Sequence, residues 1–174
     1  QIKQLGFSEY AYPGATHTRF LHSIGVMDVA TRAFKKVMHG QALPASDKKR
    51  LAATVRLAAL LHDIGHAPLS HSTESVMPLV SALKLPTSSG ASLPQPNRQA
   101  THEDYTVKSI LDSSFTQSFS KVRSDWGVEV SAVAELILGH SSQPEYFSMN
   151  GINFFPLLHQ LVSSEMDCDR MDYL

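Results

Sequence analysis

Hydrophobic residues recur at helical spacing along most of this chain, and no segment shows the strict alternation typical of a half-buried strand. The first long helix is predicted from Thr18 to His39. Apolar residues recur there in steps of three and four, while charged residues mark the opposite side. His22 lies on an apolar stripe of this helix. The pattern therefore directs an imidazole towards the core.

A second long helix is predicted between Ser46, a good N-cap, and Ile64, with Gly65 as its stop. His62 continues the apolar series of this helix, so the same argument directs a second imidazole inward. The two longest predicted helices thus each carry a histidine on the face that packs against the rest of the protein.

The remainder of the chain predicts shorter helices joined by loops. Pro68 suits the first turn of a short helix on which His71 and Glu74 share a face. Residues 84–100 are rich in proline and serine without periodicity, which indicates a surface loop. Further helices are predicted at His102–Leu111, Val128–Leu138 and Phe154–Tyr173, the last with a break. An all-α fold follows, in a single domain over residues 1–174.

Length, charge and cysteine content limit the class of protein. The chain has 174 residues, which suit one domain, and 15 Lys and Arg against 16 Asp and Glu, so nucleic acid is not indicated as a partner. Its one cysteine excludes an internal disulfide. No apolar run approaches the roughly 18 residues that cross a bilayer, so a cytoplasmic domain is expected, with no membrane partner. Because the chain opens on Gln1 and ends at Leu174 without a terminating signal, we expect it to be part of a longer one.

The stretch LLHDIGHAPLSHSTE, residues 60–74, concentrates titratable side chains directly after an apolar run. A single histidine on an apolar face is usually a core residue with a satisfied hydrogen bond, and this interpretation stays open for each one. Asp63 beside His62 is harder to place, because a buried carboxylate without a partner costs several kcal/mol. A divalent metal would satisfy both side chains, since imidazole nitrogen and carboxylate oxygen suit first-row transition ions.

Two ligands do not make a metal site, and two further candidates lie elsewhere in the chain. One is His22 on its apolar stripe. The other is Asp169 in the acid-rich stretch SSEMDCDRMDYL, where Asp169 and Tyr173 share a helix face at a spacing of four. A solvated acidic helix explains this stretch equally well.

The order of His22, the His62–Asp63 pair and a distant Asp169 resembles the H…HD…D signature of the HD-domain metal-dependent phosphohydrolases. More narrowly, the chain resembles the deoxynucleoside triphosphate triphosphohydrolase branch, which includes proteins that join a sterile-alpha-motif domain to an HD domain. The motifs that carry this resemblance are QIKQLG, YPGATHTRFLHSIGV, HDIGHAPLSHSTE, the HE pair at 102 and 103, and SSEMDCDRMDYL.

The resemblance implies an all-α HD-domain helical bundle with a metal site in its core. The implied cofactor is one divalent transition metal (Fe, Mn, Zn, Ni or Co), with Mg accompanying the nucleotide. The implied metal ligands are His22, His62, Asp63 and Asp169. The implied catalytic residues are His66, Glu74 and His102, with Glu74 orienting His102 as general acid or base. The implied substrate-binding residues are Gln4, Leu5, Arg19, His71, Arg170 and Tyr173.

The activity that the resemblance implies is hydrolysis of a deoxynucleoside triphosphate to deoxynucleoside and triphosphate, by a chain that forms a homo-oligomer in its full-length form. Two alternatives stay open. One is a nucleotide-sensing HD module that retains the metal without turnover, and the other is a phosphodiesterase or nuclease of the same superfamily. Arg170 also has an alternative, because it could pair with Asp167 on the surface.

Overall fold

The computed structural model describes residues 2–67, 70–85 and 97–173 of the chain. The α-helices within these ranges are α1 (Arg19–Val37), α2 (Ala45–Leu61), α3 (His102–Leu111), α4 (Phe119–Trp126), α5 (Val130–Leu138), α6 (Pro144–Phe147), α7 (Phe155–Val162) and α8 (Cys168–Tyr173). Short 3-10 helices lie at Ser8–Tyr10, Ser70–Val76, Val80–Leu83 and Ser114–Ser118. The predicted all-α class is confirmed. Pro68 and most of the predicted 84–100 loop lie outside the described residues.

The first predicted helix is confirmed as α1, which packs along α2 and α8. It begins after Thr18, whose hydroxyl accepts a hydrogen bond from the backbone N–H of Leu21. The buried residues of α1 are His22, Val26, Ala30 and Phe34. Their spacing of four gives one continuous stripe, so the imidazole of His22 enters the core with its apolar neighbours.

The second helix differs from its prediction at both ends. Ser46 is not its N-cap, because α2 begins at Ala45 directly after Pro44, which makes no side-chain capping bond. The helix ends at Leu61, so His62 and Asp63 stand in the turn that follows it. Gly65 allows this turn to approach α3 closely, since a Cβ there would lie 2.2 Å from the carbonyl oxygen of His102.

The core lies between α1, α2, α5 and α7. Fully buried apolar residues of these helices include Val26, Leu51, Val55, Ala58, Val133, Leu136 and Leu158. Burial of each valine or leucine side chain contributes roughly 1.5–3 kcal/mol to folding. The core also contains Glu135, whose carboxylate accepts hydrogen bonds from the hydroxyls of Ser141 and Ser142 and from the amide of Gln143. A buried carboxylate in this protein can therefore be satisfied by neutral donors alone.

Helices α4 and α6 and a short hairpin were not predicted from the sequence patterns. Helix α4 is short, and of its apolar residues only Phe119 is fully buried, while Val122 is partly buried against the core. Strands β1 (Ser148–Met149) and β2 (Ile152–Asn153) form an antiparallel hairpin in which Met149 pairs with Ile152. The Asn150–Gly151 turn between them has positive φ at both residues, the conformation that this dipeptide favours in hairpins. Strands this short cannot show an alternating pattern.

The predicted break in the last helix is confirmed, because α7 ends at Val162 and α8 begins at Cys168. Asp167 stabilises the segment between α7 and α8, because its carboxylate accepts hydrogen bonds from the backbone N–H groups of Ser164 and Arg170. Helix α8 then lies against α1, which brings its acidic face next to His22. In the part of the chain that the structure describes, no helix has the length and hydrophobicity needed to cross a membrane.

Candidate metal centre and active site

Two histidines and a carboxylate from three separate parts of the chain meet at one point. Nε2 of His22, on α1, lies 2.7 Å from Oδ1 of Asp169, on α8. Nε2 of His62, in the turn after α2, lies 3.6 Å from the same oxygen. Each of the three residues offers one ligand atom, and these atoms lie within 4.8 Å of one another. This group could hold a metal ion.

The second ring nitrogen of each histidine is already engaged. Nδ1 of His62 lies 2.8 Å from the carbonyl oxygen of Ala59, and Nδ1 of His22 lies 2.8 Å from Oδ2 of Asp172. Because a carbonyl or carboxylate oxygen only accepts, these contacts place a proton on Nδ1 of both rings, and Nε2 is the nitrogen left to face a metal ion. Both Nε2 atoms are buried and make no hydrogen bond within the described residues. Two buried ring nitrogens without a hydrogen-bond partner, facing a carboxylate, fit a metal ion.

Asp63 faces the same point from another direction. Its Oδ1 lies 3.3 Å from Nε2 of His62 and 3.6 Å from Nε2 of His66. Its Oδ2 accepts hydrogen bonds from Nη1 of Arg19 at 2.8 Å and from Nε2 of Gln4 at 3.1 Å. One carboxylate oxygen is thus held by two donors, and the other is turned towards the histidines. This is the arrangement that orients a ligating carboxylate.

The carboxylates and imidazoles of this cluster shift the pKa values of one another. Burial would raise the pKa of Asp169, but the neighbouring imidazoles of His22 and His62 outweigh burial and hold the pKa well below its usual range. Burial would likewise raise the pKa of Asp63, but the neighbouring histidines and Arg19 lower it overall. Both carboxyl groups are therefore ionised, which is the state that a metal ion requires.

The pKa values of the two histidines shift in the complementary direction. Burial lowers the pKa of His22, but the carboxylates of Asp169 and Asp172 outweigh burial and raise it. For His62 burial again acts downward, and Asp169 and Asp63 raise its pKa above the ordinary value. Both shifts follow from the negative charge of the surrounding carboxylates, which a bound cation would neutralise.

A second cluster lies beside the first and contains His66 and His102. Their imidazole rings stack with centroids 3.8 Å apart and planes inclined by 8°. Nδ1 of His102 lies 2.5 Å from Oε1 of Glu74, which fixes the orientation of the ring. Asp63, His66 and His102 also offer atoms within 4.8 Å of one another, so Asp63 connects the two clusters.

His102 is the first residue of α3, and the start of this helix is firmly anchored. Nη1 and Nη2 of Arg98 bind the two carboxylate oxygens of Asp104 at 2.6 and 2.7 Å. Asp104 is 1% exposed and also accepts a hydrogen bond from the backbone N–H of Thr101. The hydroxyl of Thr106 donates to the carbonyl oxygen of His62, which ties α3 to the turn that carries Asp63. The two clusters are therefore held in a fixed relation.

The clusters form one side of a cavity of about 1150 Å³. This volume is sufficient for a ligand of nucleotide size. Among the predicted substrate-binding residues, Gln4, Leu5 and Arg19 line the cavity. Further lining residues are Phe7, His17, Glu103, Ile137 and Val162. The cavity therefore combines an apolar wall with a charged floor.

The structure does not bring every predicted substrate-binding residue to this cavity. Arg170 is exposed, its guanidinium donates to the carbonyl oxygen of Glu165, and it is not among the lining residues. Its predicted alternative, a side-chain pair with Asp167, is replaced by a backbone contact, because the Arg170 N–H binds Asp167 Oδ1. The side chains of His71 and Tyr173 lie outside the described residues.

Sequence reasoning gave Asp172 only a supporting role in its helix, although it contacts a predicted metal ligand, and it missed the Arg98–Asp104 pair, which anchors α3. Asp172 follows Asp169 by three residues, so it projects from the same side of α8. That spacing was a usable signal. No comparable signal marks Arg98, because it contacts Asp104 only after the chain has folded back at Thr101.

A sequence model of the HD domain matches residues 19–174 of the chain. This chain belongs to the HD-domain family. The resemblance that the motifs predicted is thereby confirmed, and the matched range contains all four predicted metal ligands.

This HD domain is similar to proteins from bacteria and eukaryotes. It is 33% identical over 175 residues to the uncharacterized protein YwfO of Bacillus subtilis (strain 168), covering 100% of this chain and 31% of YwfO. It is 33% identical over 174 residues to the uncharacterized MG461 homolog of Mycoplasma pneumoniae, covering 99% of this chain and 34% of that protein. It is also 27% identical over 186 residues to the deoxynucleoside triphosphate triphosphohydrolase SAMHD1 of Mus musculus, covering 99% of this chain and 26% of SAMHD1.

These alignments also show how much of each relative the HD domain represents. The chain spans about a third of the length of the two bacterial proteins and about a quarter of the mouse protein. The similarity to all three nevertheless extends over nearly the whole of this chain.

Proposed function

We propose that this protein is a metal-dependent phosphohydrolase that converts a deoxynucleoside triphosphate to deoxynucleoside and triphosphate. The observation that carries the proposal is the pair of buried imidazole nitrogens, Nε2 of His22 and Nε2 of His62, that face carboxylates beside a nucleotide-sized cavity. The name of the mouse relative, a deoxynucleoside triphosphate triphosphohydrolase, supports the choice of substrate.

The proposed metal ligands are His22, His62, Asp63 and Asp169. When bound, a divalent ion would neutralise phosphate charge and help to activate water. Hydrogen bonds within the protein orient two of these ligands before a metal binds. Hydrogen bonds from Arg19 and Gln4 orient Asp63, and the Ala59 carbonyl orients His62.

The proposed proton carrier is His102, held by Glu74. Since Nδ1 donates to Glu74, Nε2 of His102 is the atom that exchanges a proton with the substrate. In the proposed reaction, water attacks the α-phosphorus and the bond from phosphorus to the 5′-oxygen breaks. His102 supplies the proton that the departing 5′-oxygen takes up, and the proton that the attacking water releases restores His102. His66 stacks on His102 and helps to hold its ring in place.

The proposed substrate contacts follow the shape of the cavity. Arg19 offers a guanidinium at the floor, where the phosphates would lie beside Asp63. Gln4 and Leu5 line the wall at which the base would lie, and the neighbouring Phe7 is 69% exposed. We also propose a cytoplasmic location and a homo-oligomer for the full-length protein.

The decisive experiment uses the full-length protein and measures metal content and products on one preparation. Elemental analysis should find about one transition metal per chain, as a single four-ligand site requires. Chromatography after incubation with each dNTP and rNTP should show deoxynucleoside and triphosphate. Bound metal without any product would contradict the proposed enzyme and favour a nucleotide-sensing module. Release of monophosphates or cleavage of oligonucleotides would instead indicate a phosphodiesterase or nuclease.

A further inference from the structure

We propose that Asp172 is a positioning residue that sets the tautomer and ring orientation of His22, and that Gly25 is present to make room for it. This inference rests on the proposed metal site. It concerns a carboxylate that does not reach the metal position itself and acts only through the histidine.

Asp172 and Asp169 lie on opposite sides of the same imidazole ring. Oδ2 of Asp172 is 2.8 Å from Nδ1 of His22, and Oδ1 of Asp169 is 2.7 Å from Nε2. The side chain of His22 is 2% exposed, so no bulk water competes for either nitrogen.

A neutral imidazole carries one proton, so the two carboxylates compete for it. If the proton lies on Nε2, it points at Asp169 and occupies the lone pair that a metal ion needs. If it lies on Nδ1, it points at Asp172 and leaves Nε2 available. Asp172 forms a hydrogen bond of good geometry with its nitrogen, whereas Nε2 forms none within the described residues. The contact with Asp172 therefore selects the tautomer that can bind metal.

Gly25 provides the space in which Asp172 sits. A Cβ at this position would lie 1.9 Å from Oδ1 of Asp172, 2.7 Å from its Cγ and 2.9 Å from Oδ2. Glycine inside a helix costs about 1 kcal/mol relative to alanine, and Gly25 lies inside the 19-residue helix α1. The close approach of the Asp172 carboxylate explains why this helix contains a glycine one turn beyond His22.

The test compares metal affinity across variants of the full-length protein, each first stripped of metal. The first substitution is Asp172→Asn, which keeps the size of the side chain but gives it an amide that can donate to Nδ1. The second is Gly25→Ala, which displaces the Asp172 carboxylate while leaving Asp172 itself unchanged. Glu165→Gln is the matched control, because Glu165 is an exposed acid that precedes the same helix. His22→Ala reports on the metal site itself. Zinc affinity is measured by competition with a chromogenic chelator, and far-UV circular dichroism verifies folding.

We expect Asp172→Asn and Gly25→Ala each to weaken zinc binding by about 10–100-fold, as loss of an outer partner of a ligating histidine does. Glu165→Gln should bind as the unaltered protein does. Nitrogen NMR of the metal-free protein, at a pH at which the His22 ring is neutral, should show the proton on Nδ1, and Asp172→Asn should reduce this preference.

Two results would overturn the inference while leaving the metal site intact. One is that Asp172→Asn and Gly25→Ala bind zinc with unaltered affinity while His22→Ala does not bind it. The contact between Asp172 and His22 would then have only a structural role. The other is a proton on Nε2 of His22 in the neutral ring of the metal-free protein. If His22→Ala also binds zinc normally, the proposed metal site itself is wrong, so the two failures are distinguishable.

Discussion

Oε1 of Glu74 lies 2.5 Å from Nδ1 of His102, although 28 positions separate the two residues in the chain. The same oxygen lies 3.5 Å from the backbone N–H of His102. Two contacts from one carboxylate restrain both the ring and the start of α3. Because Nδ1 is thereby committed to Glu74, only Nε2 can serve a substrate.

Replacing Glu74 by glutamine should reduce turnover without removing the metal. Glutamine can donate to Nδ1 of His102, so the ring can lose its fixed tautomer. We expect kcat to fall by about 10²–10⁴-fold, the usual contribution of a positioned acid or base. The measurement is dNTP hydrolysis at saturating substrate together with elemental analysis. Glu145→Gln, an exposed acid on α6, is the control, and unaltered kcat in Glu74→Gln would assign the proton transfer to another residue.

Replacing either His62 or Asp63 by alanine should abolish metal binding, so that metal no longer stabilises the folded protein. Binding of an ion to the folded state alone is linked to its stability, so loss of a ligand removes that contribution. The measurement is metal content by elemental analysis, with urea unfolding before and after addition of EDTA. EDTA should destabilise the unaltered protein and leave both variants unaffected. Full metal content in both variants would contradict the ligand assignment.

The metal-free protein should be most stable in mildly acidic solution. The pKa of His22 and of His62 is raised above the ordinary 6.5, since nearby carboxylates outweigh burial. This stabilisation is complete below pH 6.5 and is lost as the pH rises through the raised values. The pKa of Asp169 lies below its ordinary 3.8, because its imidazole partners outweigh burial, so its contribution is present above pH 3.8 and lost at lower pH. The maximum should therefore fall between pH 3.8 and 6.5.

Urea unfolding in EDTA at about pH 5 and about pH 8 tests this prediction, because those values lie on either side of the histidine titration. We expect lower stability at the higher pH. The metal-loaded protein should show the opposite trend over the same range, since protons compete with the ion for the imidazoles. A metal-free protein that gains stability at the higher pH would contradict the prediction.

Replacing Arg98 by alanine should loosen the start of α3. Asp104 would keep its contact with Thr101 but lose both guanidinium bonds while it remains 1% exposed. Since Arg98 itself is partly exposed, we expect a loss of about 1–3 kcal/mol in the free energy of unfolding, measured in urea. Arg32→Ala, which removes an exposed ion pair with Asp28 on α1, should cost less than about 1 kcal/mol. Equal losses in the two variants would mean that the Arg98 contact adds no more than a surface pair.

The sequence by itself determined the all-α class, the long helix α1, helices α3 and α5 and the break before α8. These follow from spacing along the chain, which is a local property. The resemblance of its motifs to the HD signature also predicted His22, His62, Asp63 and Asp169 as one set of ligands, because the order of these residues lies within the sequence.

Only the tertiary structure decided how these residues are supported. Asp172 reaches His22 because α8 packs on α1, and Gly25 matters because a carboxylate from a distant helix needs its space. Arg98 holds Asp104 for the same kind of reason. These contacts join parts of the chain that periodicity treats separately. Periodicity tells which side of a helix faces inward, whereas the partner it meets there depends on how the helices pack.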